Sequence, residues 1–295
     1  MIICQIKIGN SCVSKRISDY VLEEFRNYLP SKSSVKKAFK KGLILLNGKV
    51  SDTGVWLSEN DVIVLLEDES YKQKPFLLTL TILFEDEHIA VINKPAGYPV
   101  NGNFHKTIQN ALSYNLKIST LVDALKVPRP VHRLDKLTSG ILLIAKTKRA
   151  QISLGNQFEN QGVSKTYYAL VKGKLEGNGE FDSAIEGLPS FTSYKSVHIE
   201  KSLTYRWVSL VKLMPSTGRT HQLRVHLAKS GHPIIGDYIH DDDKVLKGKG
   251  LFLSACEIQF MHPISTKTIA LKITIPSKFY SLFEREKRRW EKFNL

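Results

Sequence analysis

Apolar residues between Arg16 and Tyr28 fall at Ile17, Tyr20, Val21, Leu22 and Phe25, the spacing of one helical face, and Pro30 with Ser31 ends that pattern and offers a cap for a second helix. The second helix reads SKSSVKKAFKKG and is closed by Gly42. Within it Val35, Ala38 and Phe39 can turn inward, while Lys32, Lys36 and Lys40 recur at every fourth position with Lys37 and Lys41 beside them, so the outer side is wholly cationic. A strand-like run from Leu43 to Leu46 then meets Asn47-Gly48, a strong hairpin signal, and a second short β stretch ends over Asp61 to Leu66. Residues 1–66 therefore read as a small α+β unit.

The segment EDESYKQKP, Glu67 to Pro75, is polar and closed by proline, and a linker is expected over residues 67–80. In residues 81–295 and just before them, β-type runs dominate: Leu77 to Phe84, Ile89 to Asn93, Gly140 to Ala145, Thr166 to Val171, Arg206 to Leu213, Leu251 to Phe260 and Thr268 to Ile275. Helix patterns lie between them at Thr107 to Tyr114, Arg149 to Glu159 and Arg219 to Ser230, too irregularly for a repeating strand-helix alternation, so a mixed sheet of the α+β class is expected rather than a doubly wound one. The last pattern, Phe279 to Phe293, is a charged helix with Phe279, Leu282, Phe283, Trp290 and Phe293 available for docking.

Composition narrows the partner. Forty-three Lys and Arg against 28 Asp and Glu give a net charge of +15, which favours a polyanion, nucleic acid first and an anionic membrane surface second. Three cysteines, Cys4, Cys12 and Cys256, supply neither a disulfide framework nor a zinc spacing, and a reducing, cytoplasmic setting is expected. The first twenty residues lack a secretory pattern and no run of 18 apolar residues occurs, so neither secretion nor a membrane span is expected.

Three clusters could carry chemistry. NKPAGYPVNG, Asn93 to Gly102, is a strand end followed by a loop in which Lys94 could offer charge to phosphate. VHRLDKLTSGILLIAKT, Val131 to Thr147, is a knot of His132, Arg133, Asp135, Thr138 and Ser139 opening onto an apolar strand; an Asp in such a place commonly only caps a turn. STGRTHQLRVHLAKSGHPIIGD, Ser216 to Asp237, reads as a turn at Thr217-Gly218 and a helix on which Arg219 and Gln222 are three apart. Its histidines 221, 226 and 232 are spaced so that no two share a helical face, and the run Asp241, Asp242, Asp243 lacks the oxygen pattern of a calcium loop, so no metal is expected. No loop ends in Gly-Lys-Ser/Thr, no G-x-G-x-x-G follows a strand, and no G-x-S-x-G is present, so nucleotide cofactors and a serine hydrolase are not expected. What remains is one carboxylate among basic groups, able to attack an electrophilic sugar carbon or to stabilise positive charge there.

The strings KPAG, HRLDKLTSG, KTYYALVKG (Lys165 to Gly173) and TGRTHQLRVHLAKSGHPIIGD, in this order from about Leu83 to His262, resemble those of an RluA-type RNA pseudouridine synthase. Lys15 to Leu66 resembles the small RNA-binding module shared with a small-subunit ribosomal protein. The resemblance implies a largely antiparallel central sheet flanked by helices and a cofactor-free isomerisation of uridine in structured RNA, ribosomal RNA before transfer RNA, with a monomer sufficing. It implies that Asp135 acts on the ribose carbon, that Tyr167 stacks on the uracil and assists proton removal, and that Arg224 pairs with Asp135. Arg133, Lys94, His132, Arg219 and Gln222 are the expected substrate contacts, and Lys32, Lys36, Lys37, Lys40 and Lys41 the RNA contacts of the first unit. Asn101, Leu137 and Ser254 depart from the family pattern. Two other readings are a catalytically idle RNA-binding or ribosome-assembly protein, opposed by the presence of Asp135, Tyr167 and Arg224, and a glycoside hydrolase, which would need a second acid that the motifs lack.

Overall fold

A computed structural model describes residues 2–9, 14–26, 28–67, 75–241 and 248–293. The chain divides into two compact units, Met1–Gln73 and Lys74–Leu295. Half of the expected linker, residues 68–74, lies outside the described residues, as do Cys12, Asp242 and Asp243.

The first unit comprises β1 (Ile2–Lys7), α1 (Ile17–Glu24), α2 (Lys32–Lys40), β2 (Ile44–Leu46), β3 (Lys49–Val50) and β4 (Val62–Leu66). Its antiparallel sheet runs β1-β4-β2-β3. Strand β1 has no clean alternation in its sequence, IICQIK, and it is the long-range pairing with β4 that makes it a strand. Ser31 caps α2 reciprocally: its side chain accepts the Ser34 amide, and Ser34 Oγ accepts the Ser31 amide. Asn47 and Gly48 both take positive φ, 49° and 82°, as a tight hairpin between twisted strands requires. Val35, Ala38 and Phe39 pack on Ile17, Tyr20, Val21 and Phe25, leaving Lys32, Lys36, Lys37, Lys40 and Lys41 exposed.

In chain order the second unit holds β5 (Thr81–Glu85), β6 (Ile89–Lys94), α3 (Ile108–Asn115), β7 (Ala124–Pro130), β8 (Ser139–Thr147), α4 (Lys148–Glu159), β9 (Ser164–Lys172) and β10 (Asn178–Phe181). It continues with β11 (Thr192–Ser202), β12 (Arg206–Pro215), α5 (Gln222–Lys229), β13 (Leu253–Met261), β14 (Thr268–Lys272) and α6 (Ser277–Phe293). One sheet runs β10-β11-β12-β9-β13-β8-β6-β5, with β14 beside β13 and β7 beside β8. Its pairings are antiparallel apart from β13 with β8, so the sheet is mixed and largely antiparallel.

The near-continuous apolar runs of β6 and β8 follow from burial on both faces. Ala90, Ile92, Leu142 and Ile144 point to Ile108, Ala111 and Leu112 of α3. Their neighbours Ile89, Val91, Ile141, Leu143 and Ala145 point to Ala150 and Leu154 of α4. Gly140 sits at φ 117°, and a Cβ there would run into the backbone of Ala255, so the parallel contact of β8 with β13 needs glycine after Ser139.

The structure departs from the pattern in two places that matter below. Strand β11, which no apolar run announced, is half-exposed and shifts register between Ser196 and His198. Helix α5 starts at Gln222 and not at Arg219, because His221 turns left-handed at φ 55° and Gln222 folds back to accept the Arg219 amide. Arg219 therefore lies outside the helix. Among the described residues, no helix is long and apolar enough to cross a membrane.

Candidate active site

Asp135 lies in the loop between β7 and β8, anchored by buried Leu134 and by the Thr138 amide, which donates to the Asp135 carbonyl. The KPAG loop is stitched to it: Lys94 pairs with Gly140 in the sheet, the Gly97 amide donates to the Lys136 carbonyl at 2.7 Å, and Lys94 Nζ donates to the carbonyls of Pro95, Lys136 and Thr138. Lys94 is thus wholly buried, and the expected phosphate contact is corrected. Burial pulls its ammonium down to about 8 against the opposing pull of Asp135, so its charge acts within the protein.

The Asp135 carboxylate, about a quarter exposed at 27%, faces a cleft of about 630 Å³ whose wall includes Arg133, Tyr167, Arg219, His221 and Arg224. Buried Arg224, on α5, places Nη1 3.4 Å from Asp135 Oδ2. Its stronger bonds go elsewhere: Nε and Nη2 donate to the two oxygens of buried Asp237 at 2.7 and 2.6 Å. Burial alone would push Asp237 up, but Arg224 and the amides of Ile239 and His240 outweigh it and hold the carboxyl below its usual range. Arg224 is correspondingly raised, the two carboxylates outweighing its burial. The same guanidinium therefore serves two carboxylates, one structural and one open to the cleft.

Tyr167, on β9, is pushed well above the ordinary tyrosine value by burial and by Asp135. At neutral pH it is a phenol, suited to stacking and to donating a hydrogen bond, and a poor proton acceptor.

The remaining expected contacts divide. Arg133 and Arg219 are exposed on the cleft wall, Arg219 Nε reaching the Pro189 carbonyl at 3.2 Å. His132 also borders the cleft, but its Nε2 accepts the Leu143 amide, its ring stacks on Phe158, and burial with Lys165 nearby drives it down to about 3. Gln222 is buried, with Oε1 taken by Thr217 and Arg219 and Nε2 donating to Phe191 and Thr192. Both are corrected from substrate contacts to builders of the cleft wall, since their polar atoms are already satisfied. Leu137 packs against the same apolar core as Tyr167, Ser254 is buried against Ser139, and Asn101 is exposed.

Three groups escaped the motif reading. Asp237 stood at the end of a quoted motif without a role. His221, considered only as a metal ligand, sits with Nε2 3.9 Å from Asp135 Oδ1, and its Nδ1 lies 3.0 Å from Nε2 of His240. By contrast His226 is buried against Ser183, Ser190 and Thr192, and His232 bonds the Lys172 carbonyl.

Residues 88–229 match the family model described as RNA pseudouridylate synthase. The chain is 35% identical to the ribosomal large subunit pseudouridine synthase D of Nitrosomonas europaea, over 74% of this chain and 67% of that protein. It is 32% identical to the tRNA pseudouridine synthase C of Vibrio vulnificus, over 70% of this chain and 95% of that protein. Among solved structures, human RNA Pseudouridylate Synthase Domain Containing 1 superposes with a TM-score of 0.56 at 27% identity, covering 66% of this chain and 83% of that one.

Proposed function

The chain belongs to the RNA pseudouridylate synthase family and is an isomerase acting on RNA, and from that premise we propose that it converts uridine in ribosomal RNA with Asp135 as the group that addresses the ribose. The observation that carries the assignment is the Asp135 carboxylate, open to a basic cleft and fixed from behind by a guanidinium that is itself fixed by Asp237.

In this reading the flipped uridine enters the cleft with its base against Tyr167, and contact with the ring offsets part of the unstacking cost. Asp135 meets the ribose C1′ as the bond to N1 breaks; the base turns and C5 bonds to C1′. The C5 hydrogen then leaves as a proton while N1 takes one up, so the product is an isomer and no oxidant or cofactor enters. Arg224 holds the Asp135 oxygen and limits its rotation. Arg133 and Arg219 face the flanking phosphates, and the exposed lysines of α2 supply further phosphate contacts in a unit that resembles a ribosomal-protein RNA-binding module. The preference for ribosomal over transfer RNA is supported by the large-subunit relative and by that appended basic unit.

The test is purified protein on total RNA from cells lacking it, with pseudouridine mapped chemically. New pseudouridines in ribosomal RNA, absent with Asp135→Asn while RNA affinity stays within a few-fold, are the expected outcome, because phosphate contacts dominate affinity. Marks confined to transfer RNA would overturn the substrate, and equal loss of binding and turnover would overturn the role of Asp135.

A further inference from the structure

The isomerisation ends with a proton in need of an acceptor. Once C5 is joined to the ribose it still carries its hydrogen, and the C–H electron pair must return to the ring as that hydrogen leaves. Tyr167 is held as a neutral phenol, and the His132 lone pair is occupied by the Leu143 amide. Besides Asp135, which is assigned to the ribose, His221 and Glu159 are titratable acceptors that border the cleft, the hydroxyl and amide oxygens of Ser216, Thr217 and Gln161 being far weaker bases. Glu159 is exposed at the end of α4.

We infer that His221 is the general base that removes the C5 proton, and that His240 holds the His221 ring in the tautomer able to do so; the inference rests on the assignment of Asp135 to the ribose carbon. C5 becomes bonded to the carbon that Asp135 addressed, so its hydrogen arrives within a few ångströms of that carboxylate. His221 Nε2 stands 3.9 Å from Asp135 Oδ1. With Nδ1–H donated to His240 Nε2 at 3.0 Å, across rings that meet nearly at right angles, Nε2 keeps its lone pair for the cleft.

Burial lowers His240, with Arg224 and His221 adding to the effect and Asp237 and Asp135 opposing it, so His240 is neutral at neutral pH and able to accept that hydrogen bond. The contacts close a ring: Asp135 to Arg224, Arg224 to Asp237, Asp237 Oδ1 to the His240 amide, His240 to His221, and His221 back to Asp135. The backbone adds an independent sign. His221 heads α5 at φ 55° and its side chain makes no cap bond, a place where Gly or Asn costs less than His.

In the step itself the C5–H bond breaks, its electrons restore the C5=C6 double bond as the N1=C6 pair moves onto N1, which takes up a proton, and the C5 proton forms an N–H bond at His221 Nε2. The imidazolium then faces Asp135 in front and His240 behind, with Arg224, neutralised by Asp237, alongside. Arg133 and Arg219, on the cleft wall, offer guanidinium donors and no acceptor, while burial lowers the Lys165 ammonium. The proton returns to solvent through the open cleft.

The experiment is single-turnover isomerisation by the full chain on RNA whose uridines carry hydrogen or deuterium at C5. His221→Gly suits the left-handed backbone, so its thermal midpoint is expected at or above that of the wild type; His221→Asn, also tolerated there, is the second variant. Both are expected to slow product formation by about 100-fold or more, the range that general-base catalysis supplies. Both should also show a larger primary isotope effect than the wild type and, for His221→Gly, recover with added imidazole. His240→Ala is expected to give the same signature at smaller amplitude. Rates within a few-fold of wild type, or a loss with neither isotope effect nor rescue, would overturn the inference, as would appearance of the isotope effect in Glu159→Gln instead. Failure of the underlying assignment reads differently, as an Asp135→Asn protein that still cleaves and rejoins the base.

Discussion

In the first unit the lysines of α2 stand in water along one helical face, whereas in the second Lys94, at the end of β6, is buried with its ammonium on three backbone carbonyls. The same residue type has opposite uses because different dipoles solvate it. A hydrated ammonium can exchange water and counterions for phosphate. A buried one is already satisfied, and what it does is fix the loop that carries Asp135 and place positive charge behind it. Arg224 shows the intermediate case, buried and bidentate to Asp237 on one side yet presenting Nη1 to the open carboxylate on the other.

Removing the buried guanidinium tests that contrast most severely. Arg224→Met leaves Asp237 buried and uncompensated, and a loss of about 3–5 kcal/mol is expected in denaturant unfolding, partly recovered when Asp237→Asn is added. Little loss would mean that Asp237 is as well solvated as a surface group.

Lys94→Met is expected to cost about 1–3 kcal/mol by leaving carbonyls without donors. It should also erase a pH dependence whose sign is opposite to that of a paired lysine. Burial brings the folded ammonium down to about 8, so between there and the ordinary lysine value of 10.5 the unfolded chain holds a proton that the folded chain has released. Stability from this group therefore rises with pH across that window. A wild-type curve that is flat there, after comparison with Lys94→Met, would place the ammonium in water.

The exposed lysines give the smallest effect on folding and a clear one on binding. Changing Lys36, Lys37 and Lys40 to Gln should leave stability within about 0.5 kcal/mol, as for other surface sites. It should flatten the dependence of log affinity on log salt by about 0.7–0.9 per lost phosphate contact. An unchanged slope would reduce α2 to a merely solvated face.

The α2 lysines were legible because helix period and side-chain polarity are both local: Val35, Ala38 and Phe39 fix the inner face and the lysines follow. The Asn47-Gly48 turn and the Ser31 cap were legible for the same reason. Strands β1 and β11 were not, since each becomes a strand through partners far away in the chain. In the cleft the motifs named Asp135, Tyr167 and Arg224, but the three uses of polar residues around them, a satisfied lysine, a satisfied glutamine and a histidine aimed at Asp135, look alike in one dimension.

By itself the sequence determined a basic chain of two α+β parts, a cationic helix, and a set of motifs that belong to one chemistry, because periodicity, turn chemistry and motif order are properties of neighbouring residues. Only the tertiary structure decided which charges meet water and which meet backbone carbonyls, that Arg224 is shared between Asp237 and Asp135, and that His221 stands 3.9 Å from Asp135 with His240 bonded to its other nitrogen. Burial and hydrogen-bond satisfaction depend on segments brought together from β6, β8, β9 and α5, and the free energy of a charge is set by those surroundings and not by its place in the chain.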